Sequence, residues 1–129
     1  MPDFGLSADD LFAVTETLRN DPQILGASVF GSRAKGDYKP YSDVDIVLYG
    51  DLKPTDVERV ICDLEELPLV YQFDVVAYGL VTNPALRWHI ERVAVRIYER
   101  ESIAVRRWLD NRGDGSTIAE HYQCMIRGE

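Results

Sequence analysis

Near the start of the chain Leu11, Val14 and Leu18 recur at helical spacing behind Ser7. Ser7 predicts an N-cap, Asp9 and Asp10 suit the positive end of a helix, and Pro22 predicts its end. The pattern then becomes a short continuous apolar run, Ile24 to Phe30, which predicts a strand ending on Gly31-Ser32. A polar stretch from Arg33 to Ser42 follows, then a second predicted strand from Asp45 to Tyr49, closed by Gly50. Pro54 suits a first helical turn, and Val57, Val60, Ile61, Leu64 and Leu67 keep a helical period as far as Pro68. Leu69 to Tyr78 is rich in β-branched and aromatic residues and predicts a third strand, with Asp74 its sole charge. Asn83-Pro84 predicts the cap of a helix over Ala85 to Val93, and Val95, Ile97 and Tyr98 suggest a short fourth strand. Ser102 to Asn111 predicts a last helix, to which Ile103, Val105, Trp108 and Leu109 contribute the apolar side. Gly113 to Ser116 reads as a linker, and Ile118 to Ile126 as a marginal helix or a segment that orders on a partner.

Composition narrows the class. With 129 residues, 46% of them hydrophobic, the chain predicts one globular domain with a single core. No apolar run approaches the length that spans a bilayer, and Met1 to Phe4 carry no basic region with an apolar block behind it. The expected compartment is the cytoplasm. Cys62, among Val57, Val60, Ile61 and Leu64, is expected as a reduced, buried thiol, with Cys124 in the tail and no disulfide between them. A net charge of −8 argues against unspecific nucleic-acid binding, which draws on many cationic contacts. A basic protein partner or a metal-bound nucleotide fits that charge better.

The candidate chemistry begins at Gly31-Ser32. A Gly-Ser turn after an apolar run can aim backbone N–H groups and a hydroxyl at phosphate oxygens, because glycine permits close approach and concave N–H groups attract anions. Asp43 and Asp45 stand two apart at the mouth of the second strand, so they point to one face and can share a divalent ion while Val44, Ile46 and Leu48 pack inside. Magnesium favours such a set, a few carboxylates completed by substrate phosphates. Asp74 is the third piece: a carboxylate on a largely apolar strand needs a charge partner, a metal or water. It reaches the same ion if the second and third strands are neighbours; facing solvent or an arginine is the alternative. Gly115-Ser116 repeats the dipeptide with no apolar run and no paired aspartates, and reads as a turn.

Taken together, Gly31-Ser32-Arg33-Ala34-Lys35-Gly36, Ser42-Asp43-Val44-Asp45-Ile46 and Phe73-Asp74-Val75 resemble the nucleotidyltransferase superfamily of DNA polymerase beta. More closely, the chain is similar to the minimal nucleotidyltransferases, many of which are antitoxins of HEPN/MNT toxin-antitoxin pairs. The resemblance covers residues 7 to about 101. It implies an α/β (α+β) fold, a small mixed sheet of about four strands packed with helices, with residues 1–101 as the nucleotidyltransferase domain. Residues 102–129 would form a C-terminal helix and tail suited to partner docking. By the same resemblance Gly31 and Ser32 hold nucleotide phosphates, Asp43 and Asp45 bind Mg2+, and Asp74, the third carboxylate expected at that metal, assists the attacking hydroxyl. It implies ATP as substrate, and transfer of AMP to a tyrosine of a HEPN-type toxin, an RNase. The family's usual arginine after Ala34 is here Lys35, which keeps the charge and loses a fork of donors.

Other residues carry weaker signals. Arg33, Lys35 and Lys39 either neutralise a triphosphate or form a solvated loop, and Arg92, Arg96 and Arg100 read as an exposed salt-bridged face. His89, and His121 with Cys124, fall short of a metal site. Tyr38, Tyr41 and Tyr49 lie near enough in sequence to stack on a base. Two rival functions remain at this level: an antitoxin that neutralises its partner by binding alone, and a small-molecule transferase of the aminoglycoside-modifying kind, for which 129 residues leave little room.

Overall fold

The Ser7 hydroxyl accepts from the Asp10 N–H at 3.1 Å and opens α1 (Ala8–Arg19), which turns Val14 and Leu18 inward. The structure, a computed structural model, describes residues 4–112. After α1 come β1 (Gly26–Phe30), a short helix α2 (Gly31–Lys35), β2 (Val44–Tyr49), α3 (Pro54–Glu65), β3 (Phe73–Ala77), a 3₁₀ turn (Tyr78–Leu80), α4 (Pro84–Val93), β4 (Val95–Glu99) and α5 (Ala104–Asp110). Asn83 caps α4 through its side-chain oxygen, which accepts from the N–H groups of Ala85 and Leu86. Among the described residues no helix is long and apolar enough to cross a membrane.

The four strands form one mixed sheet in the order β3-β2-β1-β4. β1 runs antiparallel to both β2 and β4, whereas β2 and β3 are parallel, joined by the crossover through α3. Helices cover both faces. Val44, Ile46, Leu48, Val75 and Ala77 meet Val14, Leu18, Val60 and Leu64 from α1 and α3 in one core. Phe30, Val47 and Tyr49 meet Ile90, Val105, Trp108 and Leu109 from α4 and α5 in the other. β1 is buried throughout, and in β2 alternate residues feed each core, with only Asp45, its second residue, left half-buried.

The structure departs from the sequence expectations at several points. The polar stretch begins with a helical turn, α2, which period analysis cannot detect in five residues. The third strand is shorter than its composition suggests, because Leu69 to Gln72 form a lead-in with Val70 exposed. Cys62 is exposed, not buried. It lies about 200° around the helix from Val60, on the side away from the core. The last helix starts at Ala104, and Ile103, in a left-handed conformation at φ 63°, points into solvent. Arg92, Arg96 and Arg100 share no helical face, since they fall on α4, on β4 and beyond it. Arg96 donates to the Ser28 hydroxyl and pairs with Glu99, while Arg100 donates to the carbonyls of Arg19, Asp21 and Ile24. The Gly113–Ser116 and Ile118–Ile126 expectations, with His121 and Cys124, lie outside the described residues.

Candidate active site

Three chain segments end at one end of the sheet. β1 finishes there and passes into Gly31; β2 begins there, with Asp45 paired to Phe30; and β3 begins beside it, with Asp45 paired to Asp74 in parallel register. Directly opposed residues on neighbouring strands project to the same face, so Asp45 and Asp74 stand side by side. Asp43, two residues ahead of Asp45, is exposed at the mouth of β2, and Asp74 is exposed on β3, an edge strand. The structure therefore brings together the three predicted carboxylates, and beside them the predicted glycine.

Gly31 is required by geometry. Its φ is +70°, a region L side chains rarely adopt, and a Cβ there would land on the Oδ2 of Asp45. The Gly31 backbone thus lies directly beneath the Asp45 carboxylate. Ser32 follows in the first turn of α2, half-buried, and no side chain caps that turn because the N-cap position is Phe30. Lys35, in the last turn, reaches Asp37 at 3.6 Å and is otherwise open to solvent.

The electrostatics of the trio are unfavourable as they stand. Burial first, then the charge of Asp74, then that of Asp43, push the Asp45 pKa up to about 6, against a smaller opposing effect of Arg33. Among the described residues no three or more His, Cys, Asp or Glu side chains are grouped closely enough to hold a metal ion by themselves. The donors still suit Mg2+, which takes one or two carboxylates, keeps several waters and fills its shell with phosphate oxygens. A like-charge cluster on a half-buried strand is the kind of site that a divalent cation relieves.

Arg33 takes neither of the roles its sequence position suggests. Its side chain is 2% exposed, so it is neither a solvated loop residue nor a phosphate ligand. Its guanidinium donates to the Ser42 carbonyl from Nε and Nη2 at 3.1 and 2.8 Å, to the Phe4 carbonyl at 2.7 Å and to the Pro40 carbonyl at 3.3 Å. The Tyr38 and Tyr71 rings lie against it, with its central carbon 5.0 and 5.3 Å from their centroids. Ser42 immediately precedes Asp43, so this buried cation fixes the segment that presents the first carboxylate. Tyr38 is committed to that stack and the Tyr49 hydroxyl is buried against Ser28, so neither is placed to stack on a base, while Tyr41 stands exposed on the segment before Asp43. The supporting roles of Tyr71 and the Phe4 carbonyl carry no local sequence signal; they arise only when distant segments meet.

The family model described as polymerase beta, nucleotidyltransferase matches residues 13–103. The chain belongs to this nucleotidyltransferase family. Its fold is shared with a toxin-antitoxin structure containing AMP-PNP, at TM-score 0.65 and 16% identity over 92% of this chain and 93% of that one. A MntA-HepT toxin-antitoxin structure superposes at TM-score 0.59 and 16% identity, covering 95% and 94% of the two chains. The complex of a tri-AMPylated Shewanella oneidensis HEPN toxin with an MNT antitoxin gives TM-score 0.56 at 16% identity over 92% and 94%. No curated protein sequence matches the chain.

Two predictions come from this arrangement. Arg33→Lys replaces a five-donor fork with one ammonium that cannot span three carbonyls, and should lower stability by about 2–4 kcal/mol in urea unfolding. Wild-type stability in that variant would refute the strut. For Asp45 the folded pKa of about 6 exceeds the unfolded value of 3.8, so its stability contribution is full below pH 4 and is lost as the pH rises through 6. Asp45→Asn should therefore gain melting temperature over the wild type at pH 7 but not at pH 3.5, measured in chelator; a pH-independent difference would contradict the repulsion.

Proposed function

We propose that this chain is an Mg2+-dependent protein adenylyltransferase, the MNT-type antitoxin partner of a HEPN toxin, which transfers AMP from ATP to a tyrosine hydroxyl of that toxin. The observation that carries the reading is the parallel pairing of Asp45 with Asp74 above Gly31, in a domain of the polymerase beta nucleotidyltransferase family. The tri-AMPylated toxin bound to a protein of this fold supports the choice of reaction and acceptor, and AMP-PNP in another such complex supports ATP as donor.

Each residue then has a chemical task. Gly31 and Ser32 lie where the nucleotide phosphates would rest against the first turn of α2, with Lys35 at its far end adding positive charge. Asp43, Asp45 and Asp74 would hold Mg2+, which neutralises the triphosphate and stabilises charge on the leaving pyrophosphate. Asp74, exposed on the edge strand, orients the incoming tyrosine hydroxyl and receives its proton as the oxygen attacks the α-phosphorus and the bond to the β-phosphate breaks. Arg33 acts on none of these atoms; it positions the segment before Asp43.

The test combines the purified protein, a HEPN-type toxin as partner, ATP and Mg2+, and reads intact mass. The partner should gain AMP-sized increments. Asp43→Asn should reduce transfer by at least about a hundredfold, because loss of several kcal/mol of transition-state charge stabilisation costs that much, with unfolding behaviour preserved. An unchanged partner mass would sink the reading; neutralisation by Asp43→Asn at equal dose would favour inhibition by binding alone, and labelling of an aminoglycoside instead of the partner would favour the small-molecule transferase.

A further inference from the structure

Two large apolar side chains stand in solvent on the segments that lead into the carboxylate-bearing strands. Val70 is 93% exposed and Tyr41 84%, ahead of Phe12 at 64%, the next among the described residues. Each lies three residues before one of the paired strand openings, Phe73 and Val44. Because β2 and β3 run parallel, both lead-ins arrive at the end of the sheet that carries Asp43, Asp45 and Asp74.

The lead-ins are held in place. The Val44 N–H donates to the Gln72 carbonyl at 2.8 Å, which ties one segment to the other. The Ser42 hydroxyl accepts from the Lys39 N–H at 2.9 Å, and the Ser42 carbonyl is gripped by Arg33. Tyr71, next to Val70, lies against Arg33 and donates its hydroxyl to Asp10 at 3.1 Å. A single exposed apolar side chain on a surface needs no explanation. A pair on two immobilised segments, at the rim of a reactive site, presents apolar area to a partner with little ordering cost left at binding.

We propose that Tyr41 and Val70 form the docking rim for the acceptor, which is a protein segment whose hydroxyl is flanked by apolar side chains. The inference rests on the adenylyltransferase reading above and specifies how that reaction selects its acceptor. β3 is the sheet edge, so a polypeptide that brings a hydroxyl to Asp74 meets these lead-ins as it arrives. Charge favours a protein over a nucleic acid here: the exposed Asp43 and Asp74 on this rim, and a net charge of −8, oppose a phosphodiester backbone.

The experiment is steady-state transfer of label from ATP to the HEPN-type partner at varied partner concentration. Tyr41→Ser/Val70→Ser should raise the KM for the partner about tenfold or more, as removal of two apolar anchors does. The kcat at saturating partner and the KM for ATP should stay within about twofold of wild type, since only uniform acceptor binding is lost. Tyr41→Phe/Val70→Ile should restore the wild-type KM. An unchanged KM in the serine variant, a fall in kcat without a change in KM, or preferential labelling of an RNA oligonucleotide would each overturn the rim. A wild-type protein that labels no partner overturns the adenylyltransferase reading itself and takes the rim with it; wild-type transfer matched by the serine variant overturns the rim alone.

Discussion

The buried guanidinium of Arg33 is the point through which the parts of the site are held in register. It sits one residue after Ser32, yet it turns away from that turn and toward the carbonyls of Phe4, Pro40 and Ser42. Those three acceptors belong to the N-terminal lead-in and to the segment before Asp43, neither of which is part of a helix or strand. A planar donor fork suits the task because it meets several carbonyls at once, and the flanking Tyr38 and Tyr71 rings shield the charge without removing its donors. The result is a loop with the rigidity of an element, so that the first carboxylate arrives at a defined place beside the second.

That rigidity is needed because the carboxylates do not favour one another. Asp45 is half-buried with like charges beside it, and its proton is correspondingly hard to remove. The rest of β2 offsets the strain: Val44, Ile46, Val47 and Leu48 are all fully enclosed, so sliding the strand to separate the charges would expose the centre of both cores. Gly31 adds a second restraint. Its backbone lies under the Asp45 carboxylate at a distance no side chain would permit, which makes the glycine a condition of the site's compactness as well as of its turn.

Much of this was legible in the sequence where the governing chemistry is local. Ser7 and Asn83 mark helix starts because a capping hydroxyl or amide acts within three residues, and the alternation through Asp43, Val44, Asp45 and Ile46 separates outward carboxylates from packed positions by the period of a strand. Arg33 was illegible for the opposite reason. Its Phe4 partner lies 29 residues away and contributes only a backbone carbonyl, which any residue could supply. Cys62, Ile103 and Val70 show a second limit: apolar character permits burial without requiring it, and helix phase, backbone conformation or position on a lead-in decides the outcome.

The topology explains why so few residues suffice. An antiparallel β3 would have paired with β2 through a tight turn and placed its lead-in at the opposite end of the sheet from Asp43. The α3 crossover makes the pairing parallel, so the openings of β2 and β3 coincide, while the antiparallel β1 delivers its closing residue, and hence Gly31, to the same place. Three strand ends meet there, each contributing one kind of group: close backbone approach from β1, paired carboxylates from β2 and an exposed carboxylate from the edge β3. Because α3 packs on the face opposite Asp45 and Asp74, the crossover that creates this meeting point does not cover it. Among the described residues β3 is the edge of the sheet beside Asp74, and under the proposed adenylyltransferase reading that edge is where a protein acceptor would arrive.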